Sequence, residues 1–288
     1  MIKSASEIRS AARATLRGHW AEGALFTLIY WFISSIFSRI FFRHLDAIWL
    51  GASFLASSLL LPLGWGFCII FLLNRRGVED SFNIGHLFDG YKDFKRIFPA
   101  LFVKELYVIL WALLGAIVYF VILWFVLRYG MACISSPNPS CVWEGDGGYP
   151  PGEDLIEWVI ILIPALIPAF IKSLSYSMTP FILYDKKEMG TKAIDLTMKM
   201  MKGHKMELFI LYLTFIGWGI LCIFTLGIGY FWIVPYINAS LAGFYEEVKA
   251  DYEQSACDSG AYPKLFYCRL RLSEIFITFA LTSLITNK

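Results

Sequence analysis

Long, nearly uncharged apolar segments dominate this sequence and decide what it can fold into. Six of them approach or exceed the roughly 20 residues that an α-helix needs to cross a hydrocarbon core about 30 Å thick. They cover residues 20–38, 47–73, 99–127, 155–184, 207–226 and 228–245. Helices are the expected conformation, because hydrocarbon offers backbone amides no water and the segments exceed the strands of a membrane barrel. The sequence therefore predicts an all-α, polytopic transmembrane helical bundle with about six spans.

The composition agrees with this class and excludes several others. Hydrophobic residues make up 58% of the 288 residues and charged residues only 17%, whereas a soluble domain carries roughly a quarter charged residues. Disorder and a disulfide miniprotein are excluded. The net charge of +2 excludes a nucleic-acid binder that depends on a large positive charge. A cleaved signal peptide is not expected, because the first span lacks a small-residue cleavage site and continues through Arg39 and Arg43.

The positions of the Lys and Arg residues predict the orientation. Arg39, Arg43 and Arg128 would lie outside, and Lys104 and Lys172 lie within spans. The rest of the 25 basic residues fall in the N-terminus, the second and fourth connections and the C-terminus. Because cytoplasmic loops carry the excess of Lys and Arg, both termini are predicted to be cytoplasmic and residues 128–154 to form an outside loop.

Two cysteines, Cys133 and Cys141, lie in that outside loop. An oxidising compartment would allow them to form a disulfide. Two free thiols are equally compatible with the sequence, which gives no geometry.

Three cytoplasmic stretches show helical periodicity without the length to span a membrane. The first opens with a capping-box pattern, Ser4 to Glu7, and repeats apolar residues at Ile8, Ala12 and Leu16. The others lie near residues 84–98 and 192–205. Each could rest at the headgroup boundary with its cations on anionic lipid. Each could equally pack on the cytoplasmic ends of the spans.

A short internal sequence repeat links the first and third stretches. Residues 17–22 read Arg-Gly-His-Trp-Ala-Glu and residues 202–207 read Lys-Gly-His-Lys-Met-Glu. Each closes a basic segment and opens a span, and a second span with a proline follows, Pro62 or Pro235. Such a repeat occurs in transporters, but it can also record only how the fold arose.

The known catalytic and phosphate-binding motifs, such as Gly-x-Ser-x-Gly, His-Glu-x-x-His and the Walker loop, do not occur in the sequence. The sequence therefore predicts no catalytic residue, metal or cofactor. His19 and His204 lie near span ends, where histidine is usually an amphipathic anchor, and are kept as polar candidates.

Lys172 is the most informative single charge, because an ionisable residue within a span is costly and points to a functional site or a buried pair. It could face a polar cavity, or it could extend towards the inner surface. Pro164 and Pro168, close to it in the same predicted span, could break the helix at a binding site or only kink it. Tyr176 and Asp185 complete the polar candidates of this region.

Ordered motifs resemble the bacterial integral-membrane family catalogued as domain of unknown function 975. The residues that carry the resemblance are 167–178, Pro180, Asp185, 201–203, 216–218, 226–229, Pro235, Tyr236, Phe244 and Tyr245, with Leu-Arg-Gly at 16–18 and Leu-Phe-Asp-Gly at 87–90. The resemblance covers most of residues 4–249 and implies a multi-pass protein of the bacterial cytoplasmic (inner) membrane. It implies no activity and no catalytic residues.

Two departures from the family pattern affect the domain organisation. Much of 115–166 reads as an insertion, and the chain after residue 249 is extra. We therefore expect one membrane domain, 1–249, and a cytoplasmic or interfacial tail, 250–288, whose apolar segment 275–285 is too short to cross.

Three function classes remain open. The leading hypothesis is a non-enzymatic scaffold, regulator or envelope-protection protein that contacts anionic lipid headgroups and either a protein partner or a second copy. The alternative is a transporter or permeability factor for a small or lipid-like solute. An intramembrane lipid-modifying enzyme, using Asp185, His204 or Tyr176, ranks third.

Overall fold

Every regular element in the described part of the chain is a helix, as the sequence predicts. The computed structural model describes residues 3–41, 54, 57–134, 166–187 and 190–258, without the side chains of 40–41, 123, 125–134 and 257–258. We name the helices α1 (Ala5–Thr15), α2 (Trp20–Phe41), α3 (Leu61–Arg75), α4 (Ile84–Leu87), α5 (Asp89–Lys92), α6 (Phe94–Ile134), α7 (166–176), α8 (Thr179–Asp185), α9 (Thr191–Met200), α10 (Lys205–Phe224) and α11 (Tyr230–Asp258).

Within the described residues, four stretches are long and apolar enough to cross a membrane: Trp20–Arg39, Phe94–Ile122, Leu166–Asp185 and Lys205–Phe224. They coincide with four of the six predicted spans and suggest a multi-pass membrane protein. Most apolar side chains of α6 and α10 are exposed, as expected for helices whose surroundings are lipid. The other two predicted spans correspond in part to α3, a shorter apolar helix, and to the first half of α11.

Helix α3 lies at the centre of the bundle. It is apolar around its whole circumference, and its side chains from Ile69 to Leu73 are all buried, which is the pattern of a helix surrounded by protein. It contacts α2, α4, α5, α6, α8 and α11. The remainder of its predicted span, residues 47–56, lies outside the described residues apart from Phe54.

Two glycines let α4 and α5 lie directly on α3. A Cβ on Gly66 would overlap the backbone carbonyls of His86 and Leu87, and a Cβ on Gly90 would overlap the carbonyl of Pro62. Backbone cannot move aside as a flexible side chain can, so only glycine permits this approach. The second amphipathic stretch therefore packs against α3 through Leu87 and Gly90.

The first amphipathic stretch also packs on other helices. Ser4 and Glu7 form the predicted capping box, and α1 then buries Ile8, Ala12 and Leu16. Its neighbours are α3, α10 and α11. Of the two arrangements that the sequence left open, the apolar face of α1 adopts the packed one.

The third stretch, α9, behaves in the same way as α1. Ala193, Ile194, Thr197 and Met200 are buried against the bundle, whose contacting helices are α6, α8 and α11. Thr197 also shares a buried hydroxyl contact of 3.2 Å with Thr179 of α8.

The fourth predicted span differs from an unbroken helix. Its described part is interrupted by a turn at residues 177–178, and α8 restarts with Pro180 in its first turn, where the missing amide costs least. Pro168 lies inside α7, and Pro164 lies outside the described residues. The predicted boundary of the outside loop also changes, since α6 continues past residue 127 to Ile134.

The sequence repeat at residues 17–22 and 202–207 corresponds to two turns of the same geometry. Gly18 and Gly203 have backbone φ angles of +95° and +99°, values that favour glycine. His19 Nδ1 lies 2.6 Å from Glu22 Oε2, and His204 Nδ1 lies 3.0 Å from Glu207 Oε2. Both turns join a short amphipathic helix to a long apolar one.

Candidate functional site

The carboxylate of Asp185 accepts four hydrogen bonds from three side chains of other helices or helix ends. Arg76 donates to it twice, from Nη1 to Oδ1 at 2.7 Å and from Nη2 to Oδ2 at 2.8 Å. The Tyr245 hydroxyl and the Lys249 ammonium donate to Oδ2 at 2.8 and 2.7 Å. We call Asp185 and these three donors the Asp185 clamp.

The clamp joins the ends of two helices to the flank of a third. Arg76 caps the C-terminus of α3, and Asp185 is the last residue of α8. Tyr245 and Lys249 stand four residues apart on α11, so one helix face presents both donors. The position of Asp185 at the end of an apolar helix thus places it among residues from two other elements.

Arg76 is itself held between two acids. Its guanidinium reaches Glu246 of α11 at 2.7 Å as well as Asp185. The hydrogen bonds to Asp185 raise the pKa of Arg76, and those to Glu246 add to the increase against the opposing effect of burial. A planar guanidinium suits this double role, because its donors form a rigid fork that matches carboxylates.

Asp185 is largely buried and surrounded by hydrogen-bond donors. The carboxylate side chain is only 8% exposed, and its two oxygens accept four hydrogen bonds from charged or hydroxyl donors. A general base must have a lone pair free for the substrate proton. Three of the four bonds go to Oδ2 and one goes to Oδ1, so Oδ2 would have to release a partner before it could act as a base.

Two further contacts hold α8 in place. Trp65 of α3 donates from its indole Nε1 to the Pro180 carbonyl at 2.8 Å. Arg96 of α6 donates to the Leu183 carbonyl at 2.6 Å. The short helix that carries Asp185 is therefore fixed at its beginning and its end.

Lys172 occupies a different site, between α6 and α7. Its Nζ lies 4.3 Å from the centre of the Trp111 ring, a cation–π contact. Beside it runs a groove of about 230 Å³ lined by Trp111, Leu114, Gly115, Val118, Tyr119, Ile122 and Pro168. The surroundings of Lys172 are thus an aromatic face and an apolar groove.

The candidate enzyme residues do not share one site. Tyr176 is buried, with its ring centre 6.2 Å from that of Tyr107. His204 contacts Glu207 at 3.0 Å and Asp251 at 3.4 Å. Neither has a recorded contact with Asp185, and each takes its own partners from different helices.

Three histidines repeat one local arrangement. His19, His86 and His204 each place Nδ1 within 3.0 Å of a carboxylate three residues ahead, on Glu22, Asp89 and Glu207 respectively. Each pair stands at or just before the start of a long apolar helix. The position of His19 and His204 as amphipathic anchors at span ends stays a prediction.

The described residues bear only in part on metal ligation and on the disulfide. No group of three or more His, Cys, Asp or Glu side chains is arranged to hold a metal within the ranges that the structure covers. Cys133 lies on α6, but its side chain and the whole of Cys141 lie outside the described part.

The amino-acid sequence did not predict the partners of Asp185 or the contact of Lys172 with the Trp111 ring. Arg76 and Lys249 entered the sequence argument only as basic residues predicted to lie on one side of the membrane, and Asp185 is also near that side. The available signal for this ion pair was that residues of opposite charge lie at span ends on the same predicted side of the membrane. Tyr245 and Trp111 gave none beyond their places in or beside the family motifs.

A family model described as "Protein of unknown function (DUF975)" matches residues 1–252. The match extends from α1 through most of α11, and so includes the clamp and the Lys172 groove. None of the curated proteins and none of the solved structures matches the chain.

Proposed function

The chain belongs to the DUF975 family of proteins of unknown function, and from this premise we propose that it is a non-enzymatic scaffold of the bacterial cytoplasmic membrane. In this role it presents helix faces to protein and lipid partners and performs no chemical step. Regulation or protection of the cell envelope would follow from what it assembles. The proposed arrangement has about six spans and both termini in the cytoplasm.

The observation that carries this proposal is the Asp185 clamp. A carboxylate, two cations and a phenol bind one another and thereby join α3, α8 and α11. Breaking a buried charge pair costs several kcal/mol, which suits a rigid support. The same residues would be poorly suited to catalysis, which needs a group free to exchange protons.

The exposed face of α10 supports the second half of the proposal. Ile216, Ile220 and Ile223 are more than half exposed, whereas Leu211 on the same helix is buried. This apolar surface lies on a helix of membrane length. It is available to lipid or to another transmembrane helix, and a scaffold would use it for the latter.

Photo-crosslinking in intact membranes tests the scaffold. A photoreactive residue replaces Ile216, and a matched protein carries it at the buried Leu211. We expect one protein partner to crosslink at Ile216 and not at Leu211, and we expect a strain without the protein to show an envelope-stress phenotype. Lipid adducts alone at Ile216, together with no phenotype, would overturn the proposal.

Transport of a small or lipid-like solute is the second candidate, and Lys172 favours it. A half-buried cation on a candidate span, next to a groove, is the arrangement expected of a site for an anionic amphiphile. Flux into liposomes that falls on Lys172→Ala would support transport. Flux that is unchanged by this substitution would count against it.

A further inference from the structure

Lys172 lies on a candidate membrane span without an acidic partner among the described residues. Its helix, α7, belongs to the apolar stretch Leu166–Asp185, and its recorded contact is the face of Trp111. An ammonium has three donors, and a ring face satisfies them only in part. A cation in this position favours an anionic ligand that can reach it from within the membrane.

The groove beside Lys172 has the direction and chemistry of an acyl-chain site. Trp111, Gly115, Val118 and Ile122 recur along one face of α6. Pro168 stands one turn from Lys172 on α7. Lys172 itself does not line the groove, but the ring on which it rests, Trp111, does. From Trp111 the groove extends along the mostly apolar face of α6 to Ile122.

We propose that this groove binds one anionic phospholipid, with the phosphate at Lys172 and an acyl chain against Val118 and Ile122. Charge complementarity selects the headgroup, because the cation rests on Trp111, a ring that also lines the mostly apolar groove. The hydrocarbon around α6 and α7 supplies the chain without a desolvation cost. The lipid belongs to the leaflet that adjoins the clamp, since Lys172 lies at that end of the groove.

The proposal deepens the lipid contact of the proposed scaffold, and it can fail independently of it. The scaffold test reads crosslinks on α10, whereas the groove lies between α6 and α7. Loss of the lipid site would leave the α10 result unchanged. A second copy of the chain, or another segment of this chain, is an alternative occupant that the experiment separates.

Native mass spectrometry of the full-length protein provides the test. The protein is released from detergent after equilibration with equal amounts of phosphatidylglycerol and phosphatidylcholine, and retained lipids are counted. We expect one phosphatidylglycerol to be retained in preference to phosphatidylcholine. Lys172→Gln should weaken that retention about five-fold, which is the contribution of one basic residue next to an anionic headgroup, and Lys172→Arg should preserve it.

Two matched substitutions separate the groove from general effects. Val118→Trp fills the groove and should abolish the retained lipid, whereas Val121→Trp, at a similarly exposed position of the same helix that does not line the groove, should not. Lys202→Gln removes one exposed charge elsewhere and should have no effect. The melting temperature of each variant in detergent shows whether it is folded.

The results that overturn the proposal are distinct. Equal retention of the two lipids, an equal loss in Lys202→Gln, or full retention in Val118→Trp would each contradict a specific anionic lipid in the groove. A change in oligomeric state on Val118→Trp would assign the groove to a second copy. If Val118→Trp were the only variant that failed to fold in lipid-free detergent, the groove would be assigned to another segment of this chain.

Discussion

The guanidinium of Arg76 and the carboxylate of Asp185 meet in two parallel hydrogen bonds, 2.7 and 2.8 Å long, that join the end of α3 to the end of α8. Residues 109 positions apart in the chain thus form a bidentate ion pair between two helices. Tyr245 and Lys249 extend the contact to α11. The stability of the bundle should therefore respond strongly to changes at these residues.

Asp185→Asn should destabilise the protein by about 2–4 kcal/mol. The substitution retains the shape of the side chain but leaves Arg76 and Lys249 without their anion, and breaking a buried pair costs about 3–5 kcal/mol before allowance for the partial exposure of both cations. Denaturant titration in detergent measures the change. The control is Asp93→Asn, since Asp93 is 60% exposed in its pair with Arg96 and should lose at most about 1 kcal/mol. Equal losses in the two variants would refute the special role of the clamp.

Arg76→Lys should also destabilise, although it keeps the charge. A lysine can reach one acid at a time, whereas the arginine fork binds Asp185 and Glu246 together. A hydrogen bond to a charged group contributes about 1.5–3 kcal/mol, and because the Arg76 side chain is 29% exposed we expect a loss towards the lower end, about 1–2 kcal/mol. A double-mutant cycle with Asp185→Asn measures the coupling directly. A coupling energy near zero would show that the two residues act separately.

Gly66→Ala should lower the free energy of unfolding by about 1–3 kcal/mol. The added methyl group would overlap the carbonyls of His86 and Leu87, and overpacking of this kind forces backbone shifts. Gly217→Ala, on α10, is the matched control because a Cβ there meets nothing within 4 Å. It should be neutral or should stabilise, since alanine favours a helix by about 1 kcal/mol over glycine. A loss at Gly217 as large as that at Gly66 would contradict the close contact with α4.

Gly18→Ala and Gly203→Ala should each cost about 1 kcal/mol and should match each other. Neither Cβ would meet a neighbour, so the cost comes from the positive φ alone. Asparagine tolerates this conformation better and should cost less at both positions. Chemical denaturation of the four variants measures the effect. A clear difference between the two sites would indicate that the two turns are not equivalent.

The stability of α1 should fall in acid because of its capping box. Hydrogen bonds from the Ser4 amide and hydroxyl to the Glu7 carboxylate lower the pKa of Glu7 below its ordinary value of 4.5. A lowered pKa stabilises the folded state above the ordinary value, and this contribution disappears as the pH falls through the folded value. Hydrogen exchange of the α1 amides should accelerate over that range.

Glu7→Gln should remove this dependence, whereas Ser4→Ala should only weaken it, because the backbone amide of residue 4 still donates to Glu7 at 2.8 Å. Ser4→Ala should also accelerate exchange in α1 about five-fold near neutral pH, as loss of an N-cap does. Ser10→Ala is the control, because Ser10 donates only to the Glu7 carbonyl at 2.8 Å. An acid response that persists unchanged in Glu7→Gln would assign it to another group.

The amphipathic stretches show what sequence periodicity can predict about a helix and what it cannot. The spacing of Ile8, Ala12 and Leu16 predicted both the helix and its buried face, because helical periodicity depends only on local geometry. The same spacing fits a lipid headgroup region and a protein surface equally well. Contacts with α10 and α11 decided between them, and those come from residues some 200 positions away.

The apolar runs by themselves determined that the chain is helical and that several helices are long enough to cross a membrane, because backbone amides in hydrocarbon must bond within their own segment. Sequence motifs likewise determined the family. Only the tertiary structure decided that Asp185 is held by Arg76, Tyr245 and Lys249 and that Lys172 rests on Trp111. Hydropathy records how a residue partitions between water and lipid, whereas a specific pair depends on how distant helices pack, and that information is not local to any segment.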